Sequence, residues 1–238
     1  MKKCFVLLAL IISSIAAKAQ GADSVSSTKE IAVAVLWTRT SGEYKALSFQ
    51  AYNFAKISMD NAMKHRKSNK PKCVIVDIDE TVLDNSAYYE YMVKEKKPLV
   101  WESWKNWLLT HSADTVPGAV NFLRYAASKN VEVFYVTNRE EVFTEITMID
   151  LKKYHFPDAN LAHYFPSRGI YNKDPRREEI AKTHEILLLA GDNLSDFSSI
   201  FYSKRDKVKD EVEIRKELFG IKFIVLPNSM YGNWKPKK

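Results

Sequence analysis

Residues 74–83 read Val-Ile-Val-Asp-Ile-Asp-Glu-Thr-Val-Leu, an apolar, β-branched run that ends in two carboxylates. Valine and isoleucine favour strands, and an unbroken apolar run is typical of a strand that is buried on both faces. Because side chains alternate along a strand, Asp77 and Asp79 should point the same way. Two like charges at the end of a buried strand are costly unless a cation or a shared proton relieves them. The stretch therefore predicts a metal site, or a nucleophile paired with an acid.

The rest of the chain alternates strands with helices. Three more strands are predicted, at residues 131–136, 186–189 and 221–225. The alternation indicates an α/β fold of Rossmann-like architecture, with a parallel sheet covered by helices on both faces. Ligands of such sheets bind past the carboxyl ends of the strands. Asp77, Thr137 and Asp192 lie at or just past three strand ends, so we expect them to converge.

Two helices can be placed by their first residues. Thr40 and Glu43 fit a capping box at the start of a helix. Its apolar residues recur at helical spacing and predict a buried face; they are Leu47, Ala51, Phe54, Ala55, Met59 and Ala62. Pro117-Gly118 precedes a second helix, which should turn Ala119, Phe122, Leu123 and Ala126 inward.

The N-terminus has the features of an export signal. Lys2 and Lys3 precede an apolar segment, 5–17, that is too short to span a bilayer, and Ala17-Lys18-Ala19 fits a cleavage site. We therefore expect a signal peptide at 1–19, a flexible leader at 20–30, and a folded domain at 31–238 with a helical insert at about 85–117. The protein should be periplasmic or secreted. A lipid anchor is not expected, because no cysteine directly follows the apolar segment.

Composition and charge restrict the function classes. The chain has 238 residues, 46% of them hydrophobic, which suits one domain with an insertion. Its formal charge is +7, and removing residues 1–19 takes away three lysines and no acid, which leaves 7 − 3 = +4. No basic stripe with interleaved aromatics is present, so a nucleic acid polymer is not an expected partner. The five histidines have no ligand spacing, and surface or capping roles are expected for them.

Several motifs resemble those of the haloacid dehalogenase (HAD) superfamily. Residues 77–81, Asp-Ile-Asp-Glu-Thr, resemble its D-x-D-x-T motif, and Thr137 fits its second motif. Residues 191–196, Gly-Asp-Asn-Leu-Ser-Asp, fit its G-D-x-x-x-D motif. The longer strings 75–88 and 186–197 resemble the two signatures of bacterial class C acid phosphatases, the lipoprotein e-like 5′-nucleotidases.

The resemblance implies a phosphomonoesterase with an aspartyl-phosphate intermediate. Asp77 would be the nucleophile and Asp79 the acid and base. Thr137 and Lys173 would bind phosphate, with Arg176 and Arg177 as alternatives to Lys173.

The implied cofactor is Mg²⁺, because the expected ligands are hard oxygens. The side chains of Asp77 and Asp192 and the backbone carbonyl of Asp79 would hold it. Asp196 would bind through water or orient the other ligands.

The substrate is expected to be a small phosphomonoester, and a nucleotide fits the aromatic residues best. Trp104 and Tyr231 would form walls for a nucleobase, with Tyr88 and Tyr89 as further candidates. Trp101, Trp104 and Trp107 share one helical side, and packing of the insert onto the core explains them equally well. Asn138 and Arg139 either contact the substrate or are turn and surface residues.

The alternative function is an exported HAD-fold protein that binds a ligand such as haem without turnover. The sequence leaves the oligomeric state open, a dimer included.

Overall fold

The computed structural model describes residues 31–65, 68–202 and 205–235. The predicted signal peptide (1–19) and leader (20–30) lie outside these ranges. Among the helices of the described residues, none is both long and apolar enough to cross a membrane.

A parallel sheet forms the centre of the fold, as the sequence predicts, and it has five strands, because β5 adds one to the four predicted. Its spatial order is β5-β4-β1-β6-β7. The strands are β1 (Lys72–Val76), β4 (Val131–Glu140), β5 (Tyr164–Ser167), β6 (Glu185–Gly191) and β7 (Phe223–Val225). A short antiparallel pair, β2 (Leu83–Asp84) and β3 (Asp114–Thr115), lies outside the main sheet.

The central position of β1 in the sheet explains why residues 74–76 are uniformly apolar. It pairs with β4 on one side and with β6 on the other. Val74 and Val76 pack into the core on one face of the sheet, while Cys73 and Ile75 pack into the core on the opposite face. Because both faces are covered by helices, every position of the strand after Lys72 is buried.

Eight α-helices lie within the described residues. They are α1 (31–40), α2 (Gly42–Lys64), α3 (Ser86–Lys94), α4 (Trp101–Leu108), α5 (Ala119–Ser128), α6 (Thr144–Lys153), α7 (Asp174–Thr183) and α8 (Arg205–Ile214). Helix α5 turns Ala119, Phe122, Leu123 and Ala126 inward, as predicted. Helices α3 and α4 lie between β2 and β3 in the chain, within the predicted insert at about 85–117.

The start and buried face of α2 differ from the prediction. Its N-cap is Ser41, whose Oγ accepts a hydrogen bond from the Tyr44 amide, because Thr40 still belongs to α1. Leu47 and Phe54 are exposed. Ala55 and Met59 are buried as predicted, and Tyr44, Ser48, Tyr52 and Ser58 complete the buried face.

Candidate active site

A cavity of about 460 Å³ opens at the carboxyl ends of β1, β4 and β6. Nine of the site residues predicted from the sequence line it: Asp77, Asp79, Trp104, Thr137, Asn138, Lys173, Asp192, Asp196 and Tyr231. Of the further candidates, Tyr89 and Arg139 line it and Tyr88 does not. Six segments of the chain thus meet at one place, and those that follow β1 and β6 lie there as expected for a parallel sheet.

Three carboxylates form the floor of the cavity. One oxygen from each of Asp77, Asp192 and Asp196 lies within 4.8 Å of the others. Asp77 follows β1, and its backbone amide donates to the Ala190 carbonyl of β6 (3.0 Å), which ties the end of one strand to its neighbour. Three hard oxygen donors at this spacing fit a small divalent cation.

Lys173 supplies positive charge to this floor. Its Nζ contacts Asp77 Oδ1 and lies 2.7 Å from Asp196 Oδ1, and the residue is only 2% exposed. Burial would lower the pKa of Lys173, but the carboxylates of Asp196 and Asp77 outweigh it and raise the pKa. The ammonium group is therefore held in its charged form beside Asp77.

The carboxylates remain under-compensated despite Lys173. Burial raises the pKa of Asp77 to about 7; Lys173 opposes this, and Asp196 and Asp79 add to it. Burial and the charges of Asp196 and Asp77 also raise the pKa of Asp192 well above its usual value. A cation at this position would relieve the repulsion, so the donor set fits the predicted metal.

The Asp79 carboxylate has partners of its own, Arg139 and Asn85. Arg139 donates from Nη2 to its Oδ1 (2.7 Å) and from Nε to both oxygens (3.1 Å each). Asn85 Nδ2 donates to the same Oδ1 (2.8 Å). Asp77 and Asp79 thus have different surroundings, which suits two chemical roles.

The arginines next to Lys173 have other contacts. Arg176 donates to the Thr137 carbonyl and, from Nη2, to Asn138 Oδ1 (2.8 Å). Arg177 donates to the Asp196 carbonyl (2.6 Å). Both therefore shape the loops around the cavity, and Lys173 is the cation that contacts Asp77.

Thr137 lies at the end of the strand segment that faces the cavity. Its Oγ1 accepts a hydrogen bond from the Arg139 amide (3.1 Å), which leaves the hydroxyl hydrogen available as a donor to a bound anion.

Aromatic side chains form the rim. Tyr231 stacks on Tyr89 with ring centres 5.4 Å apart, and its hydroxyl donates to the buried Glu80. Trp104 packs against Tyr88 (5.3 Å) and lines the cavity.

The tryptophan stripe of the insert divides into three environments. Trp101 is 51% exposed and packs on Phe143 with ring centres 6.1 Å apart. Trp104 lines the cavity, whereas Trp107 donates from Nε1 to Asn85 Oδ1 (3.1 Å). The stripe is thus neither a single packing face nor a single stacking wall.

Gly191 is required by the packing of Asp196. A Cβ at position 191 would lie 2.5 Å from both Cβ and Oδ2 of Asp196. The Asp196 carboxylate also accepts a hydrogen bond from the Asn193 amide (2.9 Å). This bond holds the carboxylate against the turn that follows β6.

Sequence reasoning missed or left open several cavity residues. Arg139, for which the sequence allows either contact with the substrate or a turn and surface position, is 4% exposed and is the main partner of Asp79. Asn85 lies within the first signature string, yet nothing in its spacing indicates contact with Asp79. Tyr171 and Tyr202 also line the cavity, and only the fold brings them there.

Comparisons with known proteins identify the family and the fold. The family model described as HAD superfamily, subfamily IIIB (acid phosphatase), matches residues 8–234. The class C acid phosphatase of Bacillus anthracis is 36% identical with a TM-score of 0.84, and the match covers 87% of each chain. The same enzyme with tungstate bound is 35% identical with a TM-score of 0.83, again over 87% of each chain.

Proposed function

The chain belongs to the acid phosphatases of HAD subfamily IIIB, and from this membership we propose that its cavity hydrolyses phosphomonoesters through an aspartyl-phosphate on Asp77. The observation that carries the proposal is the contact of the buried Lys173 ammonium with both Asp77 and Asp196, beside Asp192. A decayed site that only binds a ligand has no physical need for this set of charges.

Asp77 is the nucleophile in this proposal. Its carboxylate oxygen attacks phosphorus, and the bond from phosphorus to the ester oxygen breaks. Lys173 neutralises negative charge on the transferring group, since its ammonium already lies against Asp77. The Thr137 hydroxyl and backbone amides at the end of β4 provide donors to the phosphate oxygens.

Asp79 is the acid and base. It donates a proton to the leaving alkoxide, and in the second step it accepts a proton from the water that attacks the phosphorus of the acyl phosphate. That attack releases inorganic phosphate and restores the Asp77 carboxylate. Arg139 and Asn85 fix the position of the Asp79 side chain by donating to Oδ1.

The cation held here is proposed to be Mg²⁺. The side chains of Asp77 and Asp192 and the Asp79 backbone carbonyl would hold it, with Asp196 acting through water or as an orienting group, since Lys173 and the Asn193 amide already use its oxygens. When bound, the cation supplies positive charge to phosphate oxygens.

We propose a nucleoside 5′-monophosphate as the substrate. The rim residues Trp104, Tyr89 and Tyr231 offer π-faces near the phosphate end of the cavity. Trp104→Ala should raise KM for nucleoside 5′-monophosphates about tenfold, since stacking contributes about 1–3 kcal/mol per base. KM for glycerol phosphate, which has no base, should stay unchanged. Equal effects on both substrates would contradict a stacking role.

The decisive test of activity is phosphate release with Mg²⁺ at several pH values. Wild type should release phosphate and stop when the metal is chelated, and Asp77→Asn should be inactive but folded. Asp210→Asn makes the same chemical change on an exposed position of α8 and serves as the control. Normal phosphate release by Asp77→Asn would refute the nucleophile assignment.

Export is a separate proposal, and it rests on residues 1–19 alone. Sequencing the N-terminus of protein recovered from its native host should find Gln20 first. Retention of Met1 would contradict cleavage.

A further inference from the structure

The Asp79 carboxylate is held from two directions. Arg139 binds both of its oxygens, at 2.7–3.1 Å, and Asn85 Nδ2 binds Oδ1 at 2.8 Å. The Arg139 side chain is 1% exposed and that of Asp79 is 17% exposed. Each of the two holding residues has a second partner, and both second partners lead to the helical insert.

The first route runs through Asn85. Its side-chain oxygen accepts a hydrogen bond from Trp107 Nε1 at 3.1 Å, and Trp107 belongs to helix α4 of the insert. The Asn85 amide is thus fixed at both ends, so its NH₂ group must point at Asp79.

The second route runs through Arg139 and helix α6. Arg139 Nη1 donates to Thr147 Oγ1 (3.2 Å) and lies 3.8 Å from Asp150 Oδ2. The other oxygen of Asp150 contacts His111 Nδ1 at 2.7 Å. The Asp150 side chain is 4% exposed, so its charge is matched within the protein rather than by solvent.

The insert connects the two routes, because each of them reaches a residue of the insert. Trp107 and His111 are four residues apart, and the turn between them is fixed by the bond from the Thr110 amide to the Trp107 carbonyl (2.9 Å). Lys153 of α6 also donates to the His111 carbonyl (2.8 Å). A displacement of the insert would therefore move both groups that orient Asp79.

We propose that Trp107 and Asp150 are positioning residues, and that through Asn85 and Arg139 they aim the Asp79 carboxylate at the leaving-group oxygen. This inference rests on the proposed function, in which Asp79 is the proton donor. The insert then orients the proton donor, Asp79, in addition to contacting the substrate. Neither Trp107 nor Asp150 touches the reacting atoms.

The test uses the dependence of kcat/KM on the leaving group. This parameter reports phosphoryl transfer to Asp77, in which an alkoxide needs a proton and p-nitrophenolate does not. Trp107→Phe and Asp150→Asn should each lower kcat/KM for glycerol phosphate about tenfold, since small misplacements of a catalytic group are costly. For p-nitrophenyl phosphate, kcat/KM should change less than about twofold.

The controls separate the possible outcomes. Asp79→Asn should show the same selectivity in a stronger form, and Trp101→Phe, the same change on an exposed position of α4, should alter neither substrate. If Asp79→Asn lacks selectivity, the proposed acid role fails. If Asp79→Asn is selective but both Trp107→Phe and Asp150→Asn affect the two substrates equally, or neither, the positioning inference is wrong and the acid role stands. Trp107→Phe keeps the aromatic core and decides the result if Asp150→Asn does not fold.

Discussion

When the proposed metal is chelated, the free energy of unfolding should be lower at neutral pH than at mildly acidic pH. Burial raises the pKa of Asp77 to about 7 from the ordinary 3.8. Because the folded-state pKa lies above the unfolded one, the folded protein holds more protons between these values, and its stability falls as pH rises through this window. The full difference corresponds to a loss of about 4 kcal/mol, since each pKa unit corresponds to about 1.4 kcal/mol.

The assay is urea unfolding of the chelated protein at pH 5 and pH 7.5. Much of the expected loss should appear between these two values, and saturating Mg²⁺ should restore stability at pH 7.5, because a ligand of the folded state stabilises it. Asp77→Asn removes one of the titrating groups and leaves Asp192, whose pKa is also raised, so its chelated form should be less sensitive to this pH change but not insensitive. Chelated wild type that is equally stable at both pH values, or an Asp77→Asn variant with the wild-type slope, would refute the electrostatic reasoning.

Three further outcomes follow from the site and the core. Lys173→Met should lower kcat by about 10²–10³, the usual effect of losing a preorganised charge, and Lys173→Arg should not restore it because the longer, planar group cannot occupy the same buried position; steady-state kinetics decide this. Gly191→Ala should raise the Mg²⁺ concentration for half-maximal activity about 10–100-fold, because a Cβ 2.5 Å from that of Asp196 must displace the Asp196 side chain. An unchanged Mg²⁺ titration would argue against this. Leu123→Ala, at a fully buried position of α5, should cost about 2–5 kcal/mol in urea unfolding with kcat unaltered; a smaller loss would mean that the core collapses around the site.

The sheet and the position of the cavity follow from sequence because each depends on a local signal. The run at 74–76 is apolar since β1 is covered on both faces. Asp77 and Asp192 follow β1 and β6, and Thr137 lies in β4 just beyond its last pair with β1, so a parallel sheet brings all three to one edge.

The buried face of α2 does not follow from apolar spacing. Ser48 and Ser58 are buried because their hydroxyls bond to backbone carbonyls, of Tyr44 and Gly220 respectively, and Phe54 is left exposed. A periodicity argument assigns hydroxyl residues to solvent, whereas a satisfied hydroxyl is tolerated inside.

The partners of Asp79 depend on elements distant in the chain. Arg139 is buried only because Thr147 and Asp150 of α6 face it, and Asn85 points at Asp79 only because Trp107 fixes its orientation. These contacts arise from how the insert and α6 pack, which no local pattern specifies.

The central claim is that Asp77 becomes phosphorylated during turnover. It is tested most directly by mixing the enzyme with a saturating phosphomonoester, quenching with acid, reducing the acyl phosphate with borohydride, and sequencing the peptides by mass spectrometry. We expect the reduction product, homoserine, at position 77 and an unmodified aspartate at position 79. Homoserine at another position would contradict the mechanism. An unmodified Asp77 would also contradict it, provided that a labelled substrate has shown acyl phosphate to accumulate in enzyme quenched during steady turnover.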